Sequence, residues 1–341
     1  MAYYVTLPRI IDLTPNQQAA LNETDSLALS GGPGTGKSVV CLWRHIRNYE
    51  TGARESLLLT YTKTLEHYLK LMASGEDEDA AENVNRTLWW SSHRNLHRQY
   101  DEIIIDEAQD VNIDVYETVK RFSNNISYGA DPDQSVHLTK EQLKELIDWL
   151  EETFPNEGYT LTKNFRNSKE ILDFIRSVFP DKLIPQDTID GAIITGLKPI
   201  MKIPGWNDAE ELENIMSIIN DFQGDTHNIG ILVASQNDVT RYYDLIRSNL
   251  ADNIECTKFQ AEMGIFNGLS GIHITTFKSS KGTEFDTVII PNFDRFNWLI
   301  QNSPNVNEED YYVALTRTKT NLFLICRNNP NNANRNTYDI E

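Results

Sequence analysis

Residues 30–40 read SGGPGTGKSVV and concentrate glycine, a lysine and a hydroxyl in one short segment. The spacing fits GxxxxGK[ST], a loop whose backbone amides surround a chain of phosphates. The lysine of such a loop reaches the outer phosphates, and the hydroxyl that follows it can ligate magnesium. We therefore expect a nucleoside triphosphate to bind here, with Mg²⁺ as cofactor. The expected contact residues are Gly34, Thr35, Gly36, Lys37 and Ser38.

The sequence on either side of this loop has the order that the chemistry needs. Residues 25–30, DSLALS, predict a short buried strand, and residues 37–52 predict a helix closed by Gly52. The amino end of that helix adds its positive dipole end to the phosphate site. The alternative is an ordinary glycine turn that happens to precede a lysine, and the flanking elements disfavour it.

A second chemical signal is the segment EIIIDEAQD at residues 102–110. An apolar strand delivers Asp106 and Glu107 at its carboxyl end, where ligands bind in open α/β sheets. Asp106 can hold magnesium through water, and Glu107 can accept a proton from the water that attacks the γ-phosphate. Acidic pairs after strands are common, but one that follows a phosphate loop by about 70 residues predicts an ATP hydrolase.

The bulk composition predicts a globular chain with two domains. Its 341 residues are 40% hydrophobic and 24% charged, and they suffice for two domains of about 150 to 180 residues. No apolar run approaches the roughly 18 residues of a membrane span, and the start lacks a signal peptide pattern, so we expect a cytoplasmic protein without membrane contact. Cys41, Cys256 and Cys326 lie far apart, which predicts reduced, buried thiols.

The charge balance restricts how nucleic acid could bind. The formal net charge is -19, and such a surface repels nucleic acid at long range. A binding groove must therefore be local and lined with basic and aromatic side chains. Acidic residues cluster at 75–82 and 207–213, which we interpret as solvated loops and helix faces.

The elements that must position these residues follow from apolar runs. Runs of this kind, separated by amphipathic segments, predict an α/β fold with parallel sheets covered by helices. Residues 139–154 predict one such helix, with Thr139 as N-cap and Gln142 closing a capping box. Besides the strand at residues 25–30, seven strands are predicted, in residues 56–62, 101–108, 125–130, 228–235, 271–277, 286–293 and 321–327.

Eight segments in one order resemble the motifs of superfamily 1 helicases, specifically the UvrD/Rep-like group, over residues 13–326. They read LTPNQQAAL, GGPGTGKS, LLLTYTKTL, IIIDEAQD, ADPDQSVH, LTKNFRNS, ITTFKSSKGTEFDTVIIP and YYVALTRTKTNL. The resemblance implies two RecA-like lobes with parallel sheets, facing each other across an ATP cleft. It assigns residues 1–162 to the ATPase lobe with the phosphate loop and 163–327 to the second lobe, and we expect a disordered tail at 328–341.

The resemblance also implies further nucleotide contacts. Gln17 matches a glutamine that reads the adenine edge, a task that suits an amide, although a helix-capping or surface role is its alternative. Phe165 matches the aromatic residue that stacks on adenine, and Glu284 with Gly282 matches the segment that bonds the ribose. Gln134 matches the glutamine that senses the γ-phosphate.

Two arginines are implied as catalytic groups of the second lobe. Arg166 in NFRNS and Arg317 in ALTRT match arginines that point at the nucleotide held by the first lobe. A guanidinium has a permanent charge and a fork that fits phosphate oxygens. Hydrolysis would then depend on cleft closure, with an arginine finger contributing about 10³ or more in rate. Together with Lys37, Glu107 and Gln134, they complete the predicted catalytic set.

Single-stranded DNA is the partner that the resemblance implies, and RNA is not excluded because backbone grips and base stacking serve both. Two adjacent tryptophans between Arg86 and Arg94 suit stacking beside phosphates, and we expect one of the two to face the groove while the other packs in the core. The nucleic-acid contacts implied are Tyr61, Thr62, Trp89, His137, Thr276 and Lys278.

Several features depart from the family pattern. Val39 stands where an arginine often sandwiches adenine, and His137 replaces a tyrosine or tryptophan. Segments that hold accessory subdomains in larger relatives are short here, which predicts a bare motor core. We therefore expect ATP-driven movement along single-stranded DNA, 3′ to 5′ by resemblance. The alternatives are an ATPase switch acting on a protein partner such as a nuclease, and a nucleotide-binding enzyme such as a small-molecule kinase.

Overall fold

The chain divides into two compact units. A computed structural model describes residues 3–131, 135, 138–182, 184–203, 207–259, 268–303, 305–328 and 333–341. The amino-terminal unit is Val5–Lys163, and the carboxy-terminal unit consists of Met1–Tyr4 and Asn164–Glu341. We describe each unit by itself. Within the described residues, no helix is both long enough and apolar enough to cross a bilayer.

The amino-terminal unit has a six-stranded parallel sheet in the order β3-β2-β4-β5-β1-β6. Its strands are β1 Leu27–Ser30, β2 Ser56–Thr60, β3 Val84–Arg86, β4 Glu102–Asp106, β5 Ile126–Ala130 and β6 Glu157–Thr160. Its helices are α1 Pro15–Asn22, α2 Lys37–Glu50, α3 Lys63–Ser74, α4 Glu78–Glu82, α5 Thr87–Ser92, α6 Ile113–Val119 and α7 Lys140–Thr153.

The carboxy-terminal unit has a seven-stranded parallel sheet in the order β13-β7-β12-β11-β8-β10-β9. Its strands are β7 Ile200–Lys202, β8 Ile229–Val233, β9 Cys256–Phe259, β10 Ile272–Thr276, β11 Phe285–Ile290, β12 Thr318–Ile325 and β13 Asp339–Ile340. Its helices are α8 Lys169–Val178, α9 Gln186–Asp190, α10 Asp208–Phe222, α11 Gln236–Arg247, α12 Phe296–Asn302 and α13 Glu308–Leu315.

Burial of the central strands explains why their sequences are apolar throughout. In β2, β4, β5, β8 and β10 every residue is buried, because helices cover both faces of a parallel sheet. All eight predicted strands are present, and the α/β class with parallel sheets is confirmed. The predicted capping box at Thr139 and Gln142 is also present at the start of α7.

The prediction of a disordered tail at residues 328–341 differs from the structure over residues 333–341. Residues Arg335–Thr337 form a 3₁₀ turn, and β13 pairs in parallel with β7 at the edge of the sheet. Backbone hydrogen bonds from Asp339 to Pro199 and from Glu341 to Met201 hold this strand. The asparagine-rich composition suggested fraying, but an edge strand needs only backbone groups to pair.

Candidate functional site

The phosphate loop has the conformation that its glycines predict. It connects β1 to α2 in the amino-terminal unit, and its backbone has φ of 70° at Gly34 and 86° at Gly36. Residues other than glycine rarely adopt this left-handed backbone conformation, so glycine is required at both positions. The side chain of Thr35 is buried and donates to the carbonyl oxygen of Gly32 at 2.8 Å, which tightens the loop.

Lys37 places its ammonium inside the curve of this loop. Its Nζ donates to the carbonyl oxygens of Gly31 and Gly32 at 2.7 and 2.9 Å. It also lies 3.4 Å from Oδ2 of Asp131, the residue that follows β5. Because Asp131 is buried with it, the positive charge is held at the carboxyl edge of the sheet, where the outer phosphates of a nucleotide are expected.

The side chain of Gln17 forms hydrogen bonds with both the N-cap of α1 and the phosphate loop. Its Oε1 accepts from the backbone N–H of Thr14 at 2.8 Å and closes the capping box of α1. Its Nε2 donates to the carbonyl oxygen of Thr35 at 3.0 Å. The capping alternative is thus present, and the amide also fastens α1 to the phosphate loop. Its reading of adenine stays a prediction.

Asp106 offers an oxygen ligand at the end of β4. Its side chain is buried, and no donor among the described residues reaches its Oδ2. Burial and the neighbouring charge of Glu107 raise the pKa of Asp106 to about 7, although a hydrogen bond with Ser38 and the charge of Lys37 oppose the shift.

Asp106 and Ser38 fit a magnesium ion. Both supply hard oxygen donors, and Mg²⁺ is usually bound through one or two carboxylates together with phosphate oxygens and waters. A divalent cation would offset the burial of the Asp106 charge. Within the described ranges, no group of three or more His, Cys, Asp or Glu side chains forms a dedicated metal cage.

Glu107 is held by an unusual backbone and by a residue that the sequence reasoning missed. Its φ is 57°, in the left-handed region, and its side chain is buried. Gln109 donates from Nε2 to Oε2 of Glu107 and accepts at Oε1 from the backbone N–H of Asp131 at 3.0 Å. Gln109 and Asp131 both lie inside motifs recognised in the sequence, so the signal for them was present.

In the carboxy-terminal unit, Arg166 and Glu284 are brought together across 118 residues of sequence. Arg166 Nε lies 3.1 Å from Glu284 Oε2, and Lys319 Nζ lies 2.9 Å from Oε1. Burial opposes the charge of Glu284, but Lys319 and Arg166 outweigh it and lower the pKa to about 2. The predicted ribose contact is therefore an anion between two cations.

Arg317 lies beside the same segment. It is buried, and its guanidinium donates to the carbonyl oxygens of Val313 and Thr283 at 3.0 and 3.4 Å. Gly282, just before Thr283, has φ of 83° and needs to be glycine. Phe165, next to Arg166, is 43% exposed and presents its ring at the surface, as adenine stacking requires.

In the amino-terminal unit, the residues predicted to contact nucleic acid lie after β2 and β3 in the sequence. Thr62 accepts from the backbone N–H of Leu65 and caps α3, while Tyr61 packs partly against the core. Trp90 is fully buried in that core, whereas Trp89 is partly exposed and stacks on His93 with ring centroids 4.4 Å apart. One tryptophan is therefore in the core as predicted, and the contact of Trp89 with nucleic acid stays a prediction.

A cleft of about 1110 Å³ in the carboxy-terminal unit contains Thr276 and Lys278. It opens at the carboxyl ends of β8, β10 and β11. Thr276 accepts from the backbone N–H of Ser279 at 3.2 Å, and Lys278 Nζ lies 3.7 Å from Asp310 Oδ2. Polar and basic lining residues that the sequence reasoning missed are Ser235, Asn237, Arg241, Asn292, Arg295 and Arg327.

Two predicted residues, Gln134 and His137, lie outside the described residues. The structure therefore brings together Lys37, Ser38, Asp106 and Glu107 in one unit. In the other unit it brings together Arg166, Glu284 and the Arg317 segment.

Parts of the chain are similar to known proteins. Residues 248–329 match the family model of the UvrD-like helicase C-terminal domain. A protein of Acanthamoeba polyphaga mimivirus, named as a candidate ATP-dependent DNA helicase, is 25% identical over 244 residues, covering 65% of this chain and 34% of the relative. The chain thus spans about a third of the length of that relative.

Solved structures of helicases also match the chain. The C-terminal domain of a possible DNA helicase from Lactobacillus plantarum is 15% identical, with a TM-score of 0.39, and covers 52% of this chain and 98% of that one. An arterivirus nonstructural protein 10 helicase in complex with DNA is 12% identical, with a TM-score of 0.46, and covers 91% and 62%.

The sheets and the phosphate loop define a nucleotide-binding protein of the α/β, phosphate-loop class. Within that class, residues 248–329 are similar to the UvrD-like helicase C-terminal domain, and the chain is similar to the mimivirus relative.

Proposed function

We propose that this protein hydrolyses ATP and couples the hydrolysis to movement along single-stranded DNA in the 3′ to 5′ direction. One observation carries the proposal. The ammonium of Lys37, the carboxylate of Asp106 and the carboxylate of Glu107 are buried together at the carboxyl edge of one parallel sheet. A phosphate-binding cation, a magnesium ligand and a base in that arrangement suit phosphoryl transfer to water.

Each group has a distinct task in the hydrolysis. Glu107 takes the proton of a water whose oxygen bonds the γ-phosphorus, while the bond from that phosphorus to the oxygen of the departing ADP breaks. Lys37 holds the outer phosphates. Asp106 and Ser38 would hold Mg²⁺, which would supply positive charge to the phosphate oxygens. The backbone amides of the loop and the amino end of α2 bind the remaining oxygens.

In this proposal, Arg166 and Arg317 complete the catalytic site. We propose that residues 1–162 and 163–327 act as two lobes, and that the two arginines approach the nucleotide when the lobes close. A permanent cation supplied from a second lobe makes hydrolysis depend on closure. The pairing of Arg166 with Glu284 keeps this guanidinium oriented until it is needed.

Strand binding is supported by the local charge of the cleft around Thr276 and Lys278. Among its described lining residues, four are basic and three are acidic, although the chain as a whole carries a formal charge of -19. A local basic groove on an acidic protein can still bind phosphates at short range. In the amino-terminal unit, Tyr61 directly follows β2 and Trp89 lies in α5, and both supply aromatic surface for bases.

The acidic surface also favours a second candidate, an ATPase switch that acts through a protein partner such as a nuclease. A net charge of this size repels nucleic acid outside the cleft and suits a basic protein surface. Three buried, free cysteines agree with a reducing compartment such as the cytoplasm for either function.

ATP hydrolysis measured with and without single-stranded DNA separates the two candidates. The motor predicts stimulation of several-fold by an oligo-dT strand, and RNA in a parallel assay tests the choice of nucleic acid. The switch predicts the same rate in all three. Lys37→Ala removes nucleotide binding or turnover, and Glu107→Gln leaves ATP bound but uncleaved. Hydrolysis by Glu107→Gln at the parental rate would show that the base is another residue.

Direction is measured with streptavidin bound to one end of a biotinylated strand. A 3′ to 5′ motor displaces streptavidin from the 5′ end in an ATP-dependent reaction and leaves it at the 3′ end. Displacement from the 3′ end instead would reverse the proposed polarity, and displacement from neither end in an active ATPase would favour the switch.

A further inference from the structure

Gln109 joins the ends of two neighbouring strands beneath the phosphate site. It lies in the 3₁₀ turn Ala108–Asp110 that follows β4, and its side chain is completely buried. Its amide nitrogen donates to Glu107, and its amide oxygen accepts from the backbone N–H of Asp131 after β5. Both functional atoms of the amide are thus used, one on each strand end.

The donor end of this amide fixes the orientation of Glu107. A glutamate carboxylate can rotate about its last torsion at little cost. The left-handed backbone at Glu107 aims the side chain but does not fix that rotation. A buried N–H donor on Oε2 selects one orientation of the carboxylate.

The acceptor end ties the same amide to the phosphate-binding lysine. Asp131, whose N–H bonds Gln109, has its own carboxylate 3.4 Å from Lys37 Nζ. A continuous path therefore runs from Lys37 through Asp131 and Gln109 to Glu107.

We propose that Gln109 is a positioning residue that fixes the orientation of the Glu107 carboxylate relative to the phosphates bound at Lys37. The inference rests on the proposed role of Glu107 as the base. Because Gln109 touches Glu107 and a backbone amide rather than the loop itself, its loss should impair turnover far more than ATP binding. Misplacement of a catalytic group by about 1 Å can cost about 100-fold in rate.

Gln109→Glu is the sharpest test because it keeps the shape and the acceptor for Asp131 but replaces the donor by an oxygen that repels Glu107. We expect kcat for ATP, measured with saturating oligo-dT, to fall about 10-fold or more. We expect the Kd of a non-hydrolysable ATP analogue with Mg²⁺ to change less than about 3-fold. Gln109→Met removes both hydrogen bonds, and it should also lower kcat far more than it weakens binding of the ATP analogue.

Two further variants separate positioning from folding. Asn156→Asp is a matched control, because Asn156 donates from its amide to the carbonyl oxygens of Leu27 and Ile126 at the opposite edge of the same sheet. It should lower the melting temperature without lowering kcat. Glu107→Gln combined with Gln109→Glu exchanges donor and acceptor, so it should regain thermal stability relative to Gln109→Glu while hydrolysis stays absent.

The outcomes distinguish this inference from the proposed function. If the parental chain hydrolyses ATP, Lys37→Ala abolishes hydrolysis and Gln109→Glu retains the parental kcat, the positioning role is wrong and the ATPase stands. An equal loss of kcat and analogue binding in Gln109→Glu would also overturn it. If the parental chain does not hydrolyse ATP at all, the proposed function itself fails.

Discussion

Lys278 and Asp310 form an ion pair, with Nζ and Oδ2 3.7 Å apart, in the cleft of the carboxy-terminal unit. Asp310 lies in the first turn of α13, and its Oδ2 also accepts from the backbone N–H of Asn307. The other end of α13 leads to Arg317. The segment that begins at Lys278 returns to this arginine through the carbonyl of Thr283. One short helix therefore connects Lys278, a predicted nucleic-acid contact, to Arg317, a predicted catalytic residue.

Removal of the Asp310 charge should strengthen strand binding. In Asp310→Asn, Lys278 no longer has a competing anion, so its ammonium is free to bind a phosphate. We expect the Kd for oligo-dT at low salt to fall about 3-fold. Fluorescence anisotropy measures this affinity. Glu309→Gln is the matched control, since it removes one charge from the same turn but pairs with Lys182; an equal gain there would mean that only net charge matters.

Asp310 also predicts a pH dependence of stability. Burial raises its pKa to about 6, while the hydrogen bond from Asn307 and the charge of Lys278 oppose the shift. Ionised Asp310 therefore destabilises the fold above pH 6, and this penalty is relieved as the pH falls toward the unfolded value near 4. Asp310→Asn should be more stable than the parent by about 2 kcal/mol at pH 7.5. Denaturant unfolding at both pH values measures the difference, which should disappear by pH 4.

The lowered pKa of Glu284 predicts the opposite pH dependence of stability. Although burial opposes its charge, Lys319 and Arg166 lower its pKa to about 2, so the ionised carboxylate stabilises the fold. That contribution is fully present above the unfolded pKa near 4.5 and is lost as the pH falls toward 2. Glu284→Gln should be less stable than the parent at pH 6, and the gap should close in acid. A gap that stays constant from pH 6 to pH 2.5 would contradict the ion pairing.

Two glycines of the phosphate loop should differ sharply in tolerance. A Cβ at Gly36 would collide with Nε2 of Gln17, and φ is 86° there, whereas a Cβ at Gly32 meets nothing within 4 Å. Gly36→Ala should lose stability by about 1 kcal/mol or more and lose ATP binding, because the loop must move away from Gln17. Gly32→Ala should retain both. Calorimetric titration with an ATP analogue checks the pair, and equal behaviour would contradict the loop geometry.

The two tryptophans should separate binding from stability. Trp90→Ala removes a fully buried side chain and should destabilise the unit by about 3 to 5 kcal/mol. Trp89→Ala should weaken binding of oligo-dT by about 1 kcal/mol or more, with little change in melting temperature, because base stacking on an aromatic ring is lost. Unchanged binding in Trp89→Ala would exclude this residue from the strand site.

The central strands and the phosphate loop were predictable because their signals are local. A buried parallel strand must be apolar at every position, and a loop that curves around phosphates must place glycine where φ is positive. The short strands β3, β6, β7, β9 and β13 were not predicted. Edge strands such as the exposed residues Glu157–Thr160 have no buried face to impose a pattern, and they pair through backbone groups alone.

By itself the sequence predicted which residues carry phosphate chemistry, because Lys37, Asp106 and Glu107 stand at fixed distances from predicted strand ends. Only the tertiary structure decided the partners of those residues. Gln109 bonds Asp131, and Arg166 bonds Glu284, because parallel strands bring distant segments to one edge of a sheet. Side-chain partners of this kind depend on the packing of several elements at once, and spacing along a single chain does not encode them.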